Sequence, residues 1–187
     1  MMRLFIACPL PSEVKATLGE ITDDLRARGG SVKWVDSINL HLTIRFLGNT
    51  EENLLPKIKA AIDHHAPTVA LVNATIDRLG AFPNLRRPRV IWAGLNNAVA
   101  PLKSLTANIE LAMQDLGFEP EKKGFKPHLT IGRVKQPHGL DELTRYLESY
   151  RLEPITVAFD RLVLFKSTIT PKGPIYESLH QAPFRSE

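Results

Sequence analysis

Apolar and polar positions alternate along this chain with two periods, and the switches between them mark out its elements. Leu4 to Cys8 is a short apolar run that predicts a buried strand. Val14, Leu18, Ile21 and Leu25 then recur at helical spacing, after a start at Pro11-Ser12-Glu13 and before a stop at Gly29-Gly30. Val32 to Val35 predicts a short strand, Asp36 to Asn39 a turn, and Leu40 to Leu47 a strong strand. A second helix follows Thr50, with Leu54, Leu55, Ile58, Ala61 and Ile62 on its apolar face. Pro56 fits that helix only in the first turn, where its missing N–H costs nothing.

The alternation continues. Thr68 to Leu79 and Val90 to Leu95 read as strands, separated by a turn-rich basic loop from Phe82 to Arg89. A third helix is expected from about Val99 to Leu116, ending at Gly117. A loop from Glu119 to Pro127 leads into a strand from His128 to Val134. After a break at Gln136 to Gly139 comes a short helix ending near Tyr150. Ile155 to Ile169 is strand-like with a bend at Asp160-Arg161, and Ile175 to Leu179 is the last strand.

Composition narrows the class. With 187 residues, 43% hydrophobic and 24% charged, the chain can bury a core without disulfides or a structural metal. The single cysteine, Cys8, excludes an intrachain disulfide. No stretch approaches the ~20 apolar residues of a membrane helix. The opening Met1 to Cys8 is too short for an export signal, whose apolar region runs to about 7–15 residues. A soluble cytoplasmic protein is expected, a monomer with no obligate protein partner and no membrane. The net charge of +4 suits an anionic ligand.

One long-range repeat points to chemistry. Leu40-His41-Leu42-Thr43-Ile44 and Pro127-His128-Leu129-Thr130-Ile131 share His-Leu-Thr-Ile, 87 residues apart. That separation is close to half the chain and predicts two similar α+β halves facing each other. On a strand, residues two apart share a face, so His41 projects with Thr43 and His128 with Thr130. Phosphodiester cleavage needs one proton taken from the attacking water and one given to the leaving oxygen. Two histidines on opposite sides of a phosphorus atom can do both near neutrality. The threonine hydroxyls can hold non-bridging phosphate oxygens as charge builds on them. A single His-x-Thr arises by chance in many proteins; two matched copies are far less often accidental.

The pair admits other uses. The same proton transfers run backwards would form a phosphodiester, and a non-catalytic phosphate-binding module is an alternative that the retained threonines disfavour. A catalytic zinc needs about three protein ligands, and no Asp, Glu or Cys shares the motif strands at same-face spacing.

With both motifs in hand, the chain resembles the 2H phosphoesterases, and within them the RNA 2′,3′-cyclic phosphodiesterase group, historically called 2′-5′ RNA ligases. The resemblance covers Arg3 to Ala7, Leu40 to Gly48, Arg89 to Gly94 and Phe125 to Arg133. It implies a bilobal α+β fold, with two pseudo-twofold-related antiparallel sheets flanking a central cleft and helices outside. Residues 1–187 would form one domain of two intertwined lobes, supplying motifs 41–44 and 128–131. It implies hydrolysis of RNA 2′,3′-cyclic phosphate ends, or of small cyclic nucleotides, to 2′-phosphomonoesters without metal or other cofactor; the alternatives are reversible 2′-5′ RNA ligation at the same site, joining a 2′,3′-cyclic end to a 5′-hydroxyl, and a non-catalytic RNA-end binding module. Carried over, His41 is the proton donor to the 3′-oxygen and His128 the proton acceptor. Thr43 and Thr130 bind phosphate.

Further contacts follow less directly. Arg133 follows the second motif as in the family and is expected at the phosphate. Strict alternation would put it on the face opposite His128, so the strand must end or twist there. Arg45 alternates onto the His41 face. Phe46 and Trp34 are candidates to stack on a base, with core packing the competing role. Arg86, Arg87 and Arg89, with Lys122, Lys123 and Lys126, could rim the cleft for an RNA tail. His64, His65, His138 and His180 lack any such context and read as surface or structural residues.

Overall fold

The two His-Leu-Thr-Ile segments lie on strands of two different sheets. A computed structural model describes residues 1–96 and 100–186. The elements are β1 (Met2–Pro9), α1 (Ser12–Arg26), β2 (Val32–Trp34), β3 (His41–Thr50), α2 (Leu55–His65), β4 (Val72–Phe82), β5 (Val90–Asn96), α3 (Ala100–Asp115), β6 (His128–Val134), α4 (Asp141–Ser149), β7 (Ile155–Phe159), β8 (Arg161–Thr170) and β9 (Gly173–Pro183). One sheet runs β3-β1-β8-β9 and the other β2-β6-β5-β4-β7. Neighbouring strands within both are antiparallel.

The halves correspond residue by residue. In the first sheet His41, Leu42, Thr43, Arg45 and Phe46 oppose Pro9, Cys8, Ala7, Ile6 and Phe5. In the second His128, Leu129, Thr130, Gly132 and Arg133 oppose Gly94, Ala93, Trp92, Ile91 and Val90. Each ladder skips one residue at the same point, Ile44 in one and Ile131 in the other. Phe165 on β8 opposes Phe5, and Phe82 on β4 opposes Val90, so β8 and β4 also correspond. The pseudo-twofold relation expected from the repeat therefore extends to matched β-bulges.

Helices cover the outer face of each sheet. The chain interleaves: α1 leaves β1 of the first sheet and packs on β2 and β7 of the second, while α3 leaves β5 of the second and packs on β3 of the first. Leu4, Ile6, Cys8, Leu42 and Ile44 join Ile91, Ala93, Leu129 and Ile131 in one continuous core with the inner faces of the helices. Alternation explains this, since these residues point away from the faces that carry the histidines.

Two expectations change in detail. The segment from Ile155 to Ile169 is not one bent strand. β7 belongs to the second sheet and β8 to the first, and the chain crosses between them at Asp160. The strand expected from Thr68 begins at Val72, because Ala66–Thr68 forms a 3₁₀ turn. The expected start of the third helix, Val99, lies outside the described residues. Pro56 does sit in the first turn of α2.

Candidate active site

Each histidine is fixed by the residue two before it. The Nδ1–H of His41 donates to the carbonyl oxygen of Asn39 at 2.7 Å. That of His128 donates to the carbonyl of Lys126 at 2.6 Å. A carbonyl can only accept, so both rings hold the same tautomer and leave Nε2 free to exchange a proton. The strand periods place Thr43 and Thr130 on the same faces as their histidines.

The first sheet surrounds His41 with aromatic rings. Phe5 lies at 4.8 Å between ring centroids, Tyr176 at 5.5 Å edge-on and Phe165 at 6.5 Å. Tyr176 belongs to β9, three strands away in sheet order. Strand twist carries diagonal corners of a sheet toward the same side, so the start of β3 and the start of β9 meet over Phe5. The Asn39 side-chain amide donates to the carbonyl of Pro174 at 3.0 Å and ties these corners together. On the other side, Phe82 packs edge-on to His128 at 5.0 Å, with Lys126 Nζ 5.8 Å from the Phe82 centroid.

These surroundings set the electrostatics. Burial pushes the His41 pKa down from 6.5 to about 4; the Asn39 carbonyl opposes this, while the Lys15 and Arg133 charges add to it. His128 is also lowered by burial, opposed by the Lys126 carbonyl and assisted by Arg133. Arg133 acts on Tyr176 as well, lowering a phenol that burial raises. One guanidinium of the second sheet thus lies within electrostatic reach of both histidines and of Tyr176 on β9.

The bulges decide which neighbours join them. Beyond Ile131, Gly132 opposes buried Ile91, and Arg133 returns to the face of His128 and Thr130. The equivalent bulge at Ile44 corrects the expectation for Arg45. Arg45 does not share the His41 face: it turns inward, buried, with Nε 2.7 Å from a Glu110 carboxylate oxygen. Its other nitrogens reach the Glu121 carboxylate at 3.5 Å and donate to the Glu119 carbonyl at 2.5 Å. Phe46 returns to the face of Thr43 and is 43% exposed.

Trp34 also departs from expectation. It opposes Gly132 on the core side of β6, and a Cβ added to Gly132 would stand 2.9 Å from the Trp34 ring. It packs against the core and is not placed to stack on a ligand in the cleft. Arg89 is exposed just before β5; its backbone N–H donates to Phe82 and its carbonyl accepts from Val134. Arg86, Arg87, Lys122, Lys123 and Lys126 are exposed on the loops before β5 and β6. His180 pairs with Asp63 of α2 at 2.7 Å, and His64 and His65 lie against each other. Among the described residues no three His, Cys, Asp or Glu side chains gather as a metal-ligand set, and no helix is long and apolar enough to cross a membrane.

A family model described as LigT-like phosphoesterase matches residues 8–92 and 94–176, which span both motifs. The chain belongs to this family. Similar LigT-like proteins include the RNA 2′,3′-cyclic phosphodiesterase of Thermotoga maritima, 36% identical over 183 residues, covering 98% of this chain and 96% of the relative. That of Methanocaldococcus jannaschii is 33% identical over 183 residues, 96% of this chain and 99% of the relative. Among solved structures, a Thermus thermophilus protein superposes with a TM-score of 0.81 at 31% identity over all of both chains. Escherichia coli LigT complexed with 3′-AMP shares the fold, with a TM-score of 0.75 at 22% identity over 98% of each chain.

Against the motif histidines of this LigT-like chain stand residues that motif reading did not single out: Tyr176, Phe165 and Phe82, with the Lys15 charge acting on His41. No local pattern marks Tyr176, because its approach to His41 depends on the twist of a four-stranded sheet. Phe165 and Phe82 could have been found only by aligning β8 with β4, which the pairing registers allow and the sequence alone does not.

Proposed function

We propose that this chain hydrolyses RNA 2′,3′-cyclic phosphodiester ends to 2′-phosphomonoesters, with His41 and His128 as a metal-independent acid/base pair. The observation that carries this reading is the matched setting of the two rings. Each is oriented through Nδ1 by a backbone carbonyl, each stands beside a threonine on its own strand, and one arginine acts on both. The names of the similar proteins support the substrate class.

In the proposed step, His128 Nε2 takes a proton from water as the water oxygen attacks phosphorus. The P–O3′ bond breaks in line, and O3′ takes the proton held on His41 Nε2. The product keeps the phosphate on O2′, and the two imidazoles return to their starting forms by exchange with solvent. Thr43, Thr130 and Arg133 hold the non-bridging oxygens, whose negative charge grows in the transition state. Burial disfavours a charged His41 in the empty cleft, and the substrate's phosphate anion favours it, so the donor is charged when substrate is present.

The test is incubation of a 2′,3′-cyclic-phosphate oligonucleotide with the protein in excess EDTA, followed by product analysis. A 2′-phosphate product at an undiminished rate is expected. Loss of activity on chelation, restored by zinc or magnesium, would overturn the mechanism.

A further inference from the structure

Outside the motif strand of the second sheet lies a strand that the first sheet lacks. β3 is the edge of its sheet, whereas β6 has β2 beyond it. β2 has three residues, and two of them, Val32 and Trp34, pack against the core. Alternation puts the third, Lys33, on the cleft face, directly opposite Arg133. The ladder runs one step further, because the Lys135 N–H donates to the Ser31 carbonyl at 2.7 Å. Lys135 therefore follows Arg133 on the same face, two residues along the strand.

Like charges directly opposite each other on a sheet face destabilise it, with Cβ atoms about 4.5–5.5 Å apart. No acid from these strands relieves that cost. Lys33, Arg133 and Lys135 are exposed, and none has a salt-bridge partner among the described residues. Residues 25–35, 78–109 and 122–140, which supply β2, β5, β6 and the loops beside them, contain no Asp or Glu. Asp36, the first acid after β2, accepts from the Ile38 N–H. Two more exposed cations, Arg86 and Arg87, stand on the loop before β5, at the same end of the sheet. That loop is closed by the Arg89 N–H donating to the Phe82 carbonyl, and the Asn84 side chain accepts from both arginine N–H groups at 3.0 and 3.1 Å.

The first half has no such face. Its counterpart of Lys135 is Gly48, and β3 is followed by Glu51 and Glu52. The loop before β6 is mixed, with Lys122 and Lys123 beside Glu119 and Glu121. The acid-free end of the second sheet is thus the place on the cleft that fits a polyanion. Its position says which part of one. Arg133 meets the reacting phosphate in the proposed step. Lys33 lies across the ladder from it and Lys135 about 7 Å along the strand. A phosphate on those lysines neighbours the reacting one. When a cyclic end is hydrolysed, the other phosphates of the substrate all lie on its 5′ side.

We propose that Lys33 and Lys135, continued by Arg86 and Arg87, bind the phosphodiester backbone of the RNA just 5′ of the cyclic end. This rests on the hydrolysis reading above and assigns the hold on the strand to the second half of the fold.

The experiment measures kcat/KM from 50 to 200 mM salt for a 2′,3′-cyclic mononucleotide and for a tetranucleotide with a 2′,3′-cyclic end. The proteins are wild type, Lys33→Gln/Lys135→Gln, and a control with the same charge change on the outer helices, Lys57→Gln/Lys103→Gln. Each phosphate contact on a single strand adds about 0.7 to the slope of log kcat/KM against log salt. The Lys33/Lys135 variant should therefore have a tetranucleotide slope shallower by about 1.4, so that its loss is about sevenfold smaller at 200 mM than at 50 mM. Its mononucleotide kcat/KM and the control protein should stay as in wild type. An unchanged tetranucleotide slope, an equal loss on both substrates, or an equal change in the control overturns the proposal. If no cyclic phosphate is hydrolysed, the reading beneath fails separately. The surface is then judged by binding of a fluorescent tetranucleotide, where equal affinity for wild type and Lys33→Gln/Lys135→Gln at 50 mM salt refutes it.

Discussion

Phe46 and Arg133 stand at equivalent places in the two halves, each five residues after its histidine and each returned to the cleft face by a bulge at an isoleucine. One half thus offers an aromatic ring where the other offers a guanidinium. The cationic member acts on both histidines, which makes it the first residue to test.

Replacing Arg133 by Gln removes a positive charge that lowers both imidazole pKa values. Histidine titration followed by NMR should show His41 and His128 both moving up in the variant. Loss of a charge-assisted phosphate contact should lower kcat/KM by about 1.5–3 kcal/mol, or roughly 10- to 150-fold. Unchanged titration of either ring would mean that Arg133 does not bridge the motifs.

The pH profile carries a sign. Acting as acceptor, His128 must be neutral, and its lowered pKa puts the acid limb of kcat/KM below 6.5. As donor His41 must be protonated, and a pKa of about 4 in the free protein makes kcat/KM fall as pH rises above that value. The kcat/KM optimum should therefore lie on the acid side of 6.5. Bound phosphate favours the charged ring, so the basic limb of kcat should lie at higher pH than that of kcat/KM. The apparent values belong to the coupled pair. Profiles flat from pH 5 to 9 would contradict a step that uses both rings.

His41→Ala and His128→Ala should each lower kcat by about 10²–10⁴-fold, while binding of a 2′-phosphate product persists. The double variant should lose far less than the sum of the two free energies, because both rings serve one displacement. Thr43→Val and Thr130→Val should cost less, about 1–3 kcal/mol each. Near-normal turnover in either alanine variant would reduce the repeat to an echo of a duplicated fold.

Arg45→Ala should act on stability. It strands the carboxylates of Glu110 and Glu121, and breaking a buried pair from one side costs about 3–5 kcal/mol, here toward the lower end because Glu121 keeps contact with water. Chemical denaturation would measure it. Arg45→Met combined with Glu110→Met leaves one carboxylate fewer unpaired and should recover part of the loss. If Arg45→Ala unfolds at the wild-type midpoint, the buried pair does not stabilise the fold.

The sequence by itself determined the helices, most of the strands, and the pairing of His41 with Thr43 and of His128 with Thr130. It also determined that two such pairs sit in equivalent halves. Those features follow from a period of two over short runs and from a repeated word, both of which are local. The tertiary structure decided what lies beyond each motif. A period of two holds only while the ladder is unbroken, and a bulge exists only relative to the partner strand. Nothing in Ile44-Arg45-Phe46 or Ile131-Gly132-Arg133 shows that β1 and β5 skip a residue there. That skip buries Arg45 and turns Arg133 into the cleft. Tyr176 reaches His41, and β7 and β8 part into separate sheets, for the same kind of reason. Pairing and twist are properties of strands distant in the chain, and each strand's own pattern of apolar and polar residues is compatible with more than one arrangement of them.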